Sequence, residues 1–402
     1  MRKYRSFLPD IENKKQNISD SIVFCWLFFQ LTTNDFVYRL FPDFFIPSFI
    51  MAITPVIVAW SYIFLTIKRK FIIYKDVLSF AFCIVMMLIG AILGNKFLQE
   101  IVSSSSFFIL ITTCIYLYTR KNLARTFVNI NKICIFCGIL VFVYAVSISK
   151  TNYLDIGNSY MAIGYSLSLF SIVLFEYTRI KKEKINAMIA TVFSIAILIF
   201  GNRGAFFVLI AYFCIRFFLH KGIKISKKGI IIGIILSLIG IITIINFEQI
   251  IYVVSNIIQG FGVSSRSLEK LMTHSFAQSI GRNEIYEKIF EIIESNPIAI
   301  RGPGYLTTVY ISARYTNANA HNIFLELLIE YGCILGPIIF AIILSRICKA
   351  IRLLAKSNSM DDSIAACFLI QAIVMLSFSS TFYICNELWL GFVILGIQSR
   401  KG

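Results

Sequence analysis

Arg266, His274, Arg282, Arg301, Arg314 and His321 fall in the only long polar interval of the sequence, residues 246–321. Arg203 stands apart from them, in a GNRG turn at 201–204. A guanidinium matches phosphate oxygens two at a time, so two or three arginines could hold a diphosphate and stabilise the charge it gains on leaving. His321 opens the run HNIFLELLIEYG, at the start of a helix. An imidazole there tends to stay neutral, which suits it to accept a proton from an attacking hydroxyl. Arg282 sits in the first turn of a predicted helix, where a cation gains nothing from the dipole and local electrostatics do not explain it. Arg203 lies near the hydrocarbon boundary, where an ionised group needs a partner or a task; its alternative is to anchor the hairpin tip by snorkelling. His274 reads as a loop residue and His220 as a solvated one. No DxD pair is present and the 246–321 interval offers no carboxylate cluster for Mg²⁺, so no metal and no cofactor is expected.

These groups must be positioned by membrane helices. The chain has 402 residues, 58% hydrophobic and 15% charged, with mean hydropathy +0.79. A soluble domain carries about 25% charged residues. Apolar runs of the roughly 17–25 residues that cross a bilayer recur along its length. The reading is an all-α polytopic transmembrane bundle of about twelve spans: 21–33, 44–67, 77–94, 101–119, 130–149, 158–177, 186–200, 204–219, 229–245, 322–345, 363–380 and 382–397. Residues 1–20 and 398–402 are expected in the cytoplasm, and 246–321 forms a large extracytoplasmic loop between spans nine and ten. The net charge of +17 comes from basic clusters such as KRK at 68–70, RIKKEK at 179–184 and HKGIKISKK at 220–228. All fall on one side, which is the positive-inside pattern rather than a nucleic-acid surface.

Within the outer segment, GRNEIYEKIFEIIES at 281–295 sets Ile285, Ile289, Ile292 and Ile293 on one flank and acids on others. That pattern predicts an amphipathic helix, stopped by Asn296-Pro297 and lying flat against the bundle. The turn that follows, IAIRGPGYL, has Gly302 and Gly304 where a backbone can approach a ligand, with Arg301 beside them. The ten cysteines lie in or beside apolar spans; Cys134 and Cys137 have CxxC spacing but no second pair, so they read as small hydrophobes.

At these residues the sequence resembles the bacterial O-antigen polymerase and O-antigen ligase superfamily of polytopic membrane proteins. The matching pieces are Arg203-Gly204, Gly281-Arg282, Pro297 with Gly302 and Gly304, His321-Asn322, and Glu330-Tyr331-Gly332. They cover about 185–345 in detail. Two departures are Tyr286, where the family commonly has an aromatic that is often Trp, and Arg301, where many members have an apolar residue. The resemblance implies an inverting, metal-independent glycosyltransferase-type enzyme acting on undecaprenyl-diphosphate-linked glycan at the outer leaflet of the bacterial cytoplasmic membrane. It implies Arg203 and Arg282 on the diphosphate and His321 on the acceptor. Arg301, Arg314, Asn322, Glu326, Gly302, Gly304 and Tyr286 follow as glycan or phosphate contacts. A chain-length regulator and a flippase are the implied protein partners, beside the bilayer itself.

The expected activity is polymerisation of lipid-linked oligosaccharide repeat units into O-antigen, capsular or exopolysaccharide. The alternative is a ligase moving finished glycan to lipid A core or another acceptor. A polysaccharide transporter or flippase is the second alternative, supported by Glu387, an acid inside a span in CNELWLG, and by the short spans seven and eight. No internal repeat of the kind transporters show accompanies them.

Overall fold

Runs of Ile, Leu, Val and Phe in a bilayer leave the backbone only its own groups to bond, and the regular elements among the described residues are all helices. A computed structural model describes residues 8–40, 53–54, 56–61, 63–64, 75–120, 123–149, 159–200, 203–219, 252, 256, 260, 282–306, 320–356 and 359–398. Of Arg203 and Arg282 it describes the backbone alone. The principal helices are α1 (Leu8–Leu40), α2 (Lys75–Ile92), α3 (Lys96–Ser103), α4 (Ser105–Tyr118), α5 (Ile130–Ser149), α6 (Ser159–Lys181), α7 (Lys184–Phe200), α8 (Arg203–Leu219), α9 (Arg282–Ser295), α10 (Ile323–Lys356), α11 (Met360–Phe378) and α12 (Asn386–Gln398).

Four helices among the described residues are long and apolar enough to cross a membrane: Ile130–Ile148, Tyr160–Lys181, Ile323–Leu354 and Met360–Phe378. A fifth candidate is the pair α3 and α4, bent by 65° at Ser104. The single straight span expected over 101–119 is therefore a bent pair. Ser104 makes the corner: its hydroxyl donates to the Ile101 carbonyl at 2.7 Å and accepts from the Phe107 N–H at 3.3 Å. Asp20–Thr33, Lys184–Phe200 and Gly204–Phe217 are shorter apolar helices. The expected span 229–245 lies outside the described residues, and 44–67 is described only at 53–54, 56–61 and 63–64. Twelve crossings are thus not established; the described residues give helices alone as regular elements, with four or five candidate membrane spans among them.

The burial of α6 and α11 makes them the centre of the bundle: 67% and 72% of their apolar windows are buried, against 33% for α10. Around them α5, α7 and α8 turn large side chains outward, among them Phe136, Val143, Met188, Ile195, Phe213 and Phe217. An apolar surface this extensive is one that faces lipid.

Helix α10 is not one rod. Gly332 breaks it with φ 73° and ψ 174°, in the left-handed half of backbone space that glycine tolerates. Phe324 and Phe340 would stand about 24 Å apart along a straight helix. Their ring centroids are 5.3 Å apart instead. The short arm, 323–331, folds back on the long arm, 333–356, and a Cβ on Gly336 would lie 2.6 Å from the Leu327 carbonyl oxygen. The continuous span expected over 322–345 is therefore a re-entrant arm followed by a crossing helix. Nothing but glycine fits at the break, since a Cβ on Gly332 would meet Ile298 C and O at 2.9 Å.

At the bundle end away from this arm, buried charges are paired. The Arg120 guanidinium donates to Asp20 Oδ1 at 2.6 Å and lies 4.5 Å from the Tyr116 ring centroid. Glu176, with no exposed side-chain surface, is held by Arg216, by Arg179 at 3.0 Å and by the Tyr212 hydroxyl at 2.7 Å. These contacts fasten α1 to α4 and α6 to α8. Arg216 also donates to the Leu354 carbonyl at 2.8 Å, reaching α10.

Candidate active site

The re-entrant arm carries the first part of the site. Asn322 caps it, its Oδ1 accepting the N–H groups of Phe324 at 3.0 Å and Leu325 at 3.3 Å. Glu326 and Glu330, both buried, face the α11–α12 connection. The Thr381 hydroxyl donates to Glu326, and the Tyr383 hydroxyl donates to Glu330 Oε2 at 2.7 Å. The other oxygen of Glu330 accepts the Gly304 N–H at 2.6 Å. Two buried carboxylates are thus held by neutral donors, the arrangement burial demands when no cation is paired with them.

The glycine turn is built around the same residue. The backbone carbonyl of Glu330 accepts the N–H groups of Arg301 at 2.8 Å and Gly302 at 2.9 Å. Gly302 and Gly304 both have positive φ, and Gly304 lies against the Phe97 ring. Asn95 donates to the Pro303 carbonyl at 2.9 Å, tying the turn to the start of α3. The Arg301 guanidinium donates to the carbonyls of Ile292 and Asn296 at 2.7 Å each, and lies 5.7 Å from the Tyr305 ring centroid. It satisfies the end of α9 rather than facing outward. Along α9, Ile285, Tyr286, Ile289, Ile292 and Ile293 pack with Leu306, Ala320, Leu325 and Ile329 into a small separate core. Tyr286 therefore belongs to the seam between α9 and the re-entrant arm.

His321 stands between this seam and a cavity of about 680 Å³. Its φ of 50° is a left-handed conformation that costs an L residue on the order of 1–2 kcal/mol. Such strain clusters at functional positions. The cavity is walled by Gln30, Thr32 and Thr33 of α1, Glu100 and Phe97 of α3, Tyr165 and Ser166 of α6, the 379–384 connection, and Asn386 and Glu387 of α12. The Tyr165 and Ser379 hydroxyls share a hydrogen bond of 2.7 Å. Gln371 donates to the Tyr165 carbonyl at 2.7 Å and accepts from Ser168 at 2.8 Å, bracing α6 against α11 behind the wall.

Of the three residues assigned by sequence to the chemistry, His321 lines the cavity. The backbone of Arg203 is one residue from its wall, since a Cβ on the adjacent Gly204 would sit 2.0 Å from the Tyr165 hydroxyl oxygen. Arg282 begins α9, whose apolar side docks on the re-entrant arm. Arg314, Arg266 and His274 lie outside the described residues. The wall residues of α1, α6 and the 379–386 stretch were missed by sequence reasoning, and Glu387 was singled out only in support of a transporter. Their signal was there, as hydroxyls, amides and an acid inside otherwise apolar spans. Among the described residues no group of three or more His, Cys, Asp or Glu side chains converges.

A helical membrane protein with a cavity of mixed polar and apolar lining at one end of its bundle is the class that fold and site define. Residues 187–341 match the family model described as O-antigen ligase. This match supports a relationship to the O-antigen polymerase and ligase superfamily, whose members are glycosyltransferase-like enzymes. No curated protein and no solved structure matches the chain. Of the described cavity-lining residues only His321 falls within the matched stretch.

Proposed function

We propose that the protein polymerises undecaprenyl-diphosphate-linked oligosaccharide repeat units at the outer leaflet of the cytoplasmic membrane. The observation that carries this reading is the cavity itself. It gathers a strained histidine, hydroxyls, amides and a carboxylate at one end of the bundle, with the backbone of Arg203 beside its wall. In the proposed reaction an acceptor sugar hydroxyl attacks the anomeric carbon of a lipid-linked glycan. The bond from that carbon to the phosphate oxygen breaks, and a single displacement inverts the centre. Arg203 and Arg282 take up the charge on the departing undecaprenyl diphosphate. His321 receives the proton of the hydroxyl or holds it by hydrogen bonding. Arg314 remains assigned to glycan or phosphate. Gly302, Gly304, Arg301, Glu326, Asn322 and Tyr286 contribute by shaping the turn and the arm that place His321.

The family description, O-antigen ligase, favours a second reading: transfer of finished glycan to lipid A core or another surface acceptor. One experiment separates the two. The gene is deleted in its own host and complemented with wild type, Arg203→Ala, Arg282→Ala or His321→Ala at matched membrane abundance, and surface glycan is resolved on a gel. Loss of the ladder with a single repeat unit still on its anchor identifies the polymerase. Loss of all attached glycan with polymer accumulating on the carrier lipid identifies the ligase. Each variant is expected to lose about 10²–10³-fold in transfer rate. A normal ladder from all three would discard this site and bring the transporter forward.

A further inference from the structure

Glu387 is used by none of the contacts that hold the re-entrant arm. It lies in the first turn of α12, where the helix dipole favours an acid, and that alone would account for its being there. Two observations go beyond the dipole. The side chain lines the 680 Å³ cavity, beside Asn386 and on the same cavity as His321. Its hydrogen-bonding contacts are local, its own backbone N–H and a weak Cys385 thiol 3.8 Å away, and among the described residues no ion pair involves it. A half-buried carboxylate in such a place is left with acceptor capacity directed at the cavity.

Its neighbours share one chemistry. Phe97 and Tyr383 meet edge to face at 5.7 Å between ring centroids, and both line the cavity. Asn386 supplies an amide, Thr33 and Ser380 hydroxyls, and Glu100 a second carboxylate. Aromatic faces with amides and carboxylates suit a molecule that offers C–H surface on one side and several hydroxyl donors on another. That is a sugar ring. A phosphate, having only acceptor oxygens, gains nothing from Glu387.

We propose that Glu387, with Asn386, forms the subsite that binds the hydroxyl-bearing acceptor sugar, and that Glu387 accepts a hydrogen bond from one of its hydroxyls. The inference rests on the glycosyl-transfer reading and divides the site in two: arginines for the donor diphosphate, this wall for the acceptor. Because only His321 of the described lining falls within 187–341, acceptor choice is set by parts of the chain outside the family-matched stretch.

The test uses full-length protein in nanodiscs with two probes. The donor is lipid-linked repeat unit extracted from the deletion strain. The acceptor is the same oligosaccharide released from its lipid by mild acid and fluorescently tagged at the reducing end. Binding of the tagged oligosaccharide is followed by fluorescence anisotropy and transfer by gel mobility, for wild type, Glu387→Gln and Glu387→Asp. Aspartate keeps the charge at the helix start but withdraws it from the cavity by one methylene. Both variants are expected to weaken acceptor binding about ten-fold or more, the loss of one charge-assisted hydrogen bond, while the donor KM moves less than about two-fold. Unchanged acceptor binding in both variants overturns the proposal. So does Glu387→Asp behaving as wild type while Glu387→Gln only lowers the melting temperature, the mark of a dipole role. Should wild type bind the tagged oligosaccharide in a Glu387-dependent way yet transfer nothing, the transferase reading fails and the subsite stands.

Discussion

The two ends of the bundle bury acids by different means. At one end Glu176 and Asp20 each face arginine, with Tyr212 and the Tyr116 ring completing the enclosure. At the other, Glu326 and Glu330 are held by a threonine hydroxyl, a tyrosine hydroxyl and a glycine N–H. Burying an ion costs several kcal/mol, which paired cations such as Arg216 and Arg179 help to offset. The consequences differ. Ion pairs lock helices together and leave no charge to spare. Neutral donors hold the acids at the cavity end without committing a cation, as the proposed diphosphate role of Arg203 and Arg282 requires.

Removing Glu176 gives the sharpest break of this contrast. Glu176→Ala leaves Arg216 and Arg179 facing each other across a buried site and is expected to cost about 3–5 kcal/mol of stability. Thermal unfolding in detergent measures it. The rate of transfer per folded molecule should hold, and Arg216→Ala in the same chain should return part of the loss. Tyr383→Phe is the matching change at the cavity end. It deletes the hydroxyl on Glu330 and should cost about 1–3 kcal/mol. Here the transfer rate should fall more than unfolding accounts for, because the arm that carries His321 loses a support. A larger stability loss at Tyr383 than at Glu176 would reverse the assignment of the two ends. At the bottom of the scale, Lys288 and Glu291 pair at 2.7 Å on the outer face of α9, with 47% and 64% of their side chains exposed. Lys288→Ala should change stability by less than about 0.5 kcal/mol, since solvent screens such pairs.

How far these features could be read in advance depends on range. Helical spans follow from apolar runs, and the cap at Asn322 is visible as a polar residue before one. The break at Gly332 is hidden, because residues 323–354 read as one apolar stretch and glycine is common in membrane helices. What Arg301 does was equally hidden: its partners are the carbonyls of Ile292 and Asn296, and backbone acceptors leave no mark on a sequence. The cavity joins α1, α6 and α12, which the chain order separates by more than a hundred residues, so only its individual polar members were legible.

The re-entrant arm also fixes an order of assembly. Glu326 and Glu330 find their hydroxyl partners 55 and 53 residues further along the chain. A ribosome delivers the acids first, with only the Gly304 N–H already made for Glu330, and acids short of donors settle poorly into hydrocarbon. The crossing arm after Gly332 is free to insert early, while the nine residues before it wait at the surface for the last helical hairpin. The histidine's seat is therefore the final part of the protein to be completed, and a chain cut short before Thr381 would reach the membrane without ever closing its cavity.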